Sequence, residues 1–153
     1  YETIEEIDTE EWDKTFDTNM RAMFYLVKYA KPYMKPGSSI INTTSVNAYD
    51  PNPTLLPYAA TKGAIQNFTA SLAQLFMQDN SGIRVNAVAP GPIWTPLIPS
   101  TIPDHETFGK DNSPMGRPGQ PAEIAPIYVF LASAAASYIS GATIPATGGR
   151  ATI

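Results

Sequence analysis

From Trp12 onward the chain sets Trp12, Phe16, Asn19, Met23, Val27 and Ala30 at steps of three and four. That spacing keeps one face of an α-helix turned toward a core. Asp8-Thr9-Glu10-Glu11 supplies the helix start: an Asx side chain to cap free amides, then acidic residues against the positive helix end. Pro32 to Gly37 stop it. Asn19 is the anomaly, because a polar side chain on an inward stripe needs hydrogen-bond partners. It reads equally as an Asn that satisfies stray backbone groups and as one that borders a site.

The pattern then shortens. Ser38 to Thr44 is an apolar run centred on Ile40 and Ile41 and bounded by turn residues, which suits a strand covered on both faces. A loop with Pro51, Pro53 and Pro57 spans 46–57. A long helix is predicted from Tyr58 to Asn80, ended by Asn80-Ser81-Gly82, with Ala64, Phe68, Ser71, Leu72 and Leu75 on its apolar or small face. Ile83 to Ala89 is the next strand. Strand, helix, strand at this spacing predicts a right-handed parallel crossover, hence an α/β fold. Residues 90–121 are rich in proline and long for a connection in a compact domain, which suggests a lid or substrate loop over 93–120. Pro121-Ala122-Glu123 opens a helix to about Ala134, with Pro126 either kinking its first turns or marking a later start. Ser140 to Ile144 makes a turn and a last short strand, ending in Gly148-Gly149.

Composition narrows the function. The 153 residues suit one domain, and 43% hydrophobic content supports a packed core. A net charge of −4 with scattered basic residues argues against a nucleic-acid partner. The absence of cysteine removes disulfides, thiolate nucleophiles and cysteine-based metal sites. The single histidine, His105, reads as a solvated loop residue, and no metal is expected. No apolar run reaches membrane-spanning length, and the acidic start does not resemble a signal peptide, so a cytoplasmic protein without a membrane partner is expected. The glycosylation patterns at Asn42 and Asn67 fall in a strand and a helix and are discounted.

The chemistry lies in Tyr58 and Lys62, four residues apart and thirteen residues or more after Ser45. Residues i and i+4 share a helix face. An ammonium held beside a phenol favours the phenolate, which makes a useful acid–base group at neutral pH. Ser45, at the end of its strand, could reach the same point from the other side and hold a substrate oxygen.

Together with the flanking motifs, these residues resemble the short-chain dehydrogenase/reductase family over essentially the whole chain. The resemblance rests on Asn19, on Asn42-Thr43-Thr44-Ser45, on Tyr58-Ala59-Ala60-Thr61-Lys62, and on Arg84-Val85-Asn86 followed by Pro90-Gly91-Pro92-Ile93-Trp94-Thr95. Met115-Gly116-Arg117-Pro118-Gly119 with Glu123, and Tyr138-Ile139-Ser140-Gly141, complete it. The Pro-Gly-Pro-Ile-Trp-Thr wording is similar to a glucose/ribitol dehydrogenase-like subgroup. The resemblance implies the C-terminal half of a Rossmann-like doubly wound parallel sheet. It implies an NAD(P)-dependent oxidoreductase that interconverts an alcohol, a sugar or polyol among them, and its carbonyl by hydride transfer. Tyr58 would be the general acid or base, Lys62 would favour its phenolate and bind the nicotinamide ribose, Ser45 would hold the substrate oxygen, and Asn19 would fix a water. Pro90, Gly91, Ile93 and Thr95 would line the NADP or NAD nicotinamide. Ser45, Val46, Asn47 and Trp94 would meet substrate, with Trp94, Leu97, Ile98 and Phe108 giving the loop an apolar wall.

One departure stands out. The Gly-rich phosphate turn that opens this family is absent from the sequence, and that part would choose between NAD and NADP. The strand around Ile40 is accordingly expected to form an open hydrophobic edge, in a catalytic half that neither folds well nor binds cofactor tightly alone. A nucleotide-sugar epimerase or dehydratase, and a truncated non-catalytic paralogue acting as a binding or oligomer partner, are the alternatives. By the same resemblance a homodimer or homotetramer would form through the helices beginning near Thr9 and Tyr58, whose exposed faces are expected to include Phe24, Tyr25 and Phe76.

Overall fold

The computed structural model describes residues 1–102 and 105–152. Three strands, β1 (Ser39–Thr43), β2 (Arg84–Pro90) and β3 (Thr143–Ala146), make one parallel sheet in the order β1-β2-β3. Ile40 stands opposite Val85 and Val88 opposite Ile144. The central strand is apolar apart from Arg84 at its start and Asn86, and Val85 to Ala89 have no exposed surface. That is the expected wording for a strand covered on both faces.

Each face has its own cluster. Val85 packs with Ile83 and with Leu72, Ala73 and Phe76 of helix α3 (Leu56–Gln78), joined by Val27 and Ile40. Val88 points the other way, to Leu131 of α5 (Pro121–Ala132) and to Ala136, with Ile41 and Ile144 beside them. The alternation of side chains along a strand divides Val85 from Val88 and Ile40 from Ile41. With helices on both faces of a parallel sheet, the fold is the doubly wound α/β type. Beyond β1 the sheet has no further strand among the described residues.

Several elements differ from the sequence reading. The first long helix is not continuous. It runs as α1 (Thr9–Phe16), a π turn over Asp17–Arg21 and α2 (Ala22–Ala30). Asp8 does cap it, accepting from the Glu10 amide at 3.2 Å. Its inward stripe is only half-covered, and Ala30 is exposed. Helix α3 begins two residues earlier than predicted, because Pro57 is well suited to a first helical turn. Its buried face is also different. Thr61, Ile65, Thr69, Leu72, Ala73 and Phe76 point inward, while Ser71 and Leu75 face outward and Ala64 and Phe68 are partly covered. Phe76 is therefore core, not a surface contact, whereas Phe24 and Tyr25 are exposed as expected. The helix ends at Gln78, two residues before the predicted end, and Asn80 takes the left-handed conformation at φ 52°.

Helix α5 starts at Pro121, so Pro126 does not mark a later start; it lies inside the helix on an exposed side. The proline-rich segment is not wholly irregular. It holds a short helix, α4 (Leu97–Thr101). Its two ends are pinned together: the Trp94 amide donates to Gly119 O at 2.8 Å, and the Gly119 amide to Pro92 O at 2.9 Å. This pairing fixes the segment that leaves β2 against the start of α5.

Candidate active site

Because β1 and β2 are parallel and in register, their C-terminal ends lie side by side, and the Thr44 amide extends the ladder by donating to Val88 O at 2.9 Å. In open α/β sheets this end is where ligands are held. Ser45 follows directly, in extended conformation and buried. Its Oγ accepts from the Asn47 amide at 3.2 Å and from Asn47 Nδ2 at 3.4 Å. The Ser45 hydroxyl proton is used by no hydrogen bond among the described residues. Val46 is buried beside it. Asn47 turns its own Oδ1 to the Asn52 amide at 2.9 Å, which holds the 46–57 segment in shape.

Tyr58 stands in the first turn of α3 and Lys62 one turn later. The Lys62 Nζ lies 5.3 Å from the centre of the Tyr58 ring, over its face. It donates to Thr43 O at 3.0 Å. The Lys62 carbonyl accepts from Thr44 Oγ1 at 2.6 Å. Lys62 is thus tied at both its side chain and its backbone to the end of β1 that leads into Ser45. Burial pushes its ammonium below the ordinary lysine value. An ammonium has three donors, and Lys62 lines the groove beside β1.

Asn19 lies in the π turn. Its Nδ2 donates to Thr61 Oγ1 at 3.0 Å, and Thr61 Oγ1 donates to Tyr58 O at 2.7 Å. The structure therefore connects Asn19 to the helix that carries Tyr58 and Lys62. Neither Thr61 nor Thr44 is singled out by the sequence reading. The usable signal is the local back-bond that threonine makes to a carbonyl three or four residues before it, together with the position of Thr61 between Tyr58 and Lys62.

The segment after β2 forms the second wall. Gly91 is set by close packing: a Cβ there would stand 2.9 Å from Thr147 Cα and 3.1 Å from Thr147 O. Its amide donates to Ala146 O at 2.9 Å. Pro90 and Gly91 are thereby held beside the C-terminal segment, Ile93 pairs with Gly119, and the Thr95 carbonyl, just before α4, accepts from the Ile98 amide. Trp94 packs at 6.1 Å from His105 and 6.3 Å from Phe108 between ring centres. His105 is half-buried against Trp94 instead of fully solvated. Ile98 is buried, but Leu97 is exposed and stands outside the apolar wall expected of it. Asp50 forms an ion pair with Arg150, linking the 46–57 segment to the chain after β3.

A groove of about 540 Å³ runs between the first helices and the free side of β1, lined by Asn19, Met23, Val27, Ile40, Asn42 and Lys62 among others. Among the described residues no cluster of His, Cys, Asp or Glu could hold a metal ion, and no helix is long and apolar enough to cross a membrane. A phenol, a neighbouring ammonium and a serine hydroxyl with an uncommitted proton can move a proton to or from a substrate oxygen.

Comparison with known proteins gives a consistent result. The family model described as enoyl-(acyl carrier protein) reductase matches residues 1–151. General stress protein 39 of Bacillus subtilis is 57% identical over 151 residues, covering 97% of this chain and 52% of that protein. Glucose and ribitol dehydrogenase of Daucus carota is 52% identical over 149 residues, covering 96% and 50%. The crystal structure of a 3-ketoacyl-(acyl-carrier-protein) reductase from Brucella melitensis, complexed with NADH, superposes with a TM-score of 0.85 at 32% identity, covering 97% of this chain and 61% of that one. The chain spans about half the length of the curated relatives it matches. It belongs to the short-chain dehydrogenase/reductase family.

Proposed function

We propose that the protein containing this chain is an NAD(P)-dependent oxidoreductase that interconverts an alcohol and its carbonyl, with sugars and polyols as the first substrate class to test. The observation that carries this reading is the pair of ties from Lys62 to Thr43 and Thr44, which hold the Tyr58–Lys62 turn against the strand end bearing Ser45. Tyr58 gives a proton to the carbonyl oxygen in reduction and takes it from the alcohol in oxidation. Ser45 donates its free hydroxyl proton to the same oxygen and orients it. The Lys62 ammonium lies over the Tyr58 ring, and its donors suit ribose hydroxyls. Pro90, Gly91, Ile93 and Thr95 form the wall on which a nicotinamide would rest. When bound, that cofactor, NAD or NADP, supplies or accepts the hydride. Val46, Asn47 and Trp94 border the substrate, and the 93–120 segment closes over it.

The test is Tyr58→Phe in the full-length protein, followed by nicotinamide absorbance with aldehydes, sugars and polyols. Loss of the acid–base group is expected to lower kcat by about 10²–10⁴-fold with folding intact. Full activity of that variant would overturn the reading. We also propose a homodimer or homotetramer assembled through α1–α2 and α3, supported by the exposed run Phe24, Tyr25, Leu26 and Tyr29. Light scattering that returns a monomer mass would count against it.

A further inference from the structure

We propose that Thr61 is a positioning residue for the reaction: its buried hydroxyl takes a hydrogen bond from Asn19, gives one to the Tyr58 carbonyl, and so sets where the Tyr58 phenol stands relative to Ser45 and Lys62. The inference rests on the reading of Tyr58 as the acid–base group and extends it to a residue that no substrate can touch. Thr61 has no exposed surface. Its Oγ stands at 3.0 Å from Asn19 Nδ2 and 2.7 Å from Tyr58 O. Accepting one bond while donating another requires a hydroxyl, since a methyl group of the same size does neither.

Tyr58 needs such a tie more than Lys62 does. Lys62 is anchored twice to the end of β1, through its ammonium and through its carbonyl. Tyr58 lies in the first turn of α3, where a helix frays most easily. Among the described residues the Tyr58 side chain makes no hydrogen bond. Its position therefore depends on its backbone, and the Thr61 hydroxyl is a side-chain contact to that backbone. The far end of the tie is Asn19, on the π turn that interrupts the first helix. Single π turns are frequent at functional sites, and the contact this one delivers is the bond from Asn19 to Thr61. Asn19 thus acts on Tyr58 through Thr61.

The experiment compares Thr61→Val, Thr61→Ser, Asn19→Leu and the double variant Asn19→Leu/Thr61→Val in the full-length protein with its cofactor. Thr61→Val keeps the volume and removes both bonds. It is expected to lower kcat by about tenfold to a hundredfold, as a misplacement of reacting groups does, with KM little changed. Thr61→Ser should regain most of the rate. The double variant should lose less than the two single losses multiplied. If Thr61→Val does not fold, Thr61→Ala, which can clash with nothing, is read in the same ways. The inference is overturned if the folded variant keeps its kcat and only its melting temperature falls, or if the two losses multiply fully. Should Tyr58→Phe remain active, the catalytic reading and this inference fall together. A dead Tyr58→Phe beside an unaltered Thr61→Val sinks the inference alone.

Discussion

Asn86 offers the sharpest test of how the sheet is held. It is the one polar residue in the middle of the central strand and is fully buried. Its Nδ2 donates to Ile139 O at 2.8 Å, and its Oδ1 accepts from the Ala142 amide at 3.0 Å. Both partners lie in the turn that feeds β3, so a single side chain sets where the last strand begins. Asn86→Leu keeps the volume and strands two backbone groups. Each partly buried group left without a partner costs about 1–3 kcal/mol. The two together are expected to cost about 2–5 kcal/mol, even though the new side chain is apolar. Val88→Ala, two residues on and equally buried, removes only apolar volume and is expected to cost roughly 2 kcal/mol. Urea denaturation of the full-length variants, compared at equal slope, gives both numbers. Hydrogen exchange at Ala142 should quicken in Asn86→Leu and stay slow in Val88→Ala. If Asn86→Leu proves as stable as the parent, or if Val88→Ala costs more, then the two bonds do not carry the turn.

Two further outcomes follow from the geometry. Gly91→Ala places a methyl group 2.9 Å from the Thr147 backbone, so the segment after β2 must move. A stability loss of about 1–3 kcal/mol and a weaker nicotinamide dissociation constant by fluorescence titration are expected; unchanged values for both would refute the close-packing argument. Arg117 holds the Glu123 carboxyl at about 2, with help from the Gln120 amide. A depressed carboxyl stabilises the fold above its ordinary value of 4.5 and loses that advantage as the pH falls toward about 2. In acid denaturation, Glu123→Gln should therefore differ from the parent near neutral pH and converge with it over that window. A constant gap would show that the pair does not act through charge.

The strands, the crossover and the end of α3 were legible because they depend on short signals: apolar runs between turn residues, and Asn80 before Gly82. The Tyr58–Lys62 pair was legible because four residues make one helical turn. The π turn was not. Asp17 to Arg21 contain no proline or glycine, and the tie of this turn to α3 through Asn19 and Thr61 is one that no local pattern encodes. Nor could the sequence reveal the pinning of Gly119 to Pro92 and Trp94, since the two ends lie far apart along the chain.

Helix α3 shows why a site can be read correctly and its packing missed in the same stretch. A search for apolar spacing favoured Phe68 and Leu75, yet Leu75 faces outward. The inward face carries Thr61 and Thr69, both fully buried. Each makes the same small device. Asn19 Nδ2 donates to Thr61 Oγ1, which donates to Tyr58 O. Asn42 Nδ2 donates to Thr69 Oγ1 at 2.9 Å, which donates to Ile65 O at 2.8 Å. One device ties α3 to the π turn and the other ties it to β1. Apolar contacts alone tolerate sliding and rotation, whereas paired hydrogen bonds at two points eight residues apart fix both. An interior left with an unpaired amide would be costly in any other register. The polar residues that obscured the hydrophobic face are thus the ones that fix α3, which carries Tyr58 and Lys62, against its neighbours, and a hydropathy pattern loses contrast where the helix is most constrained.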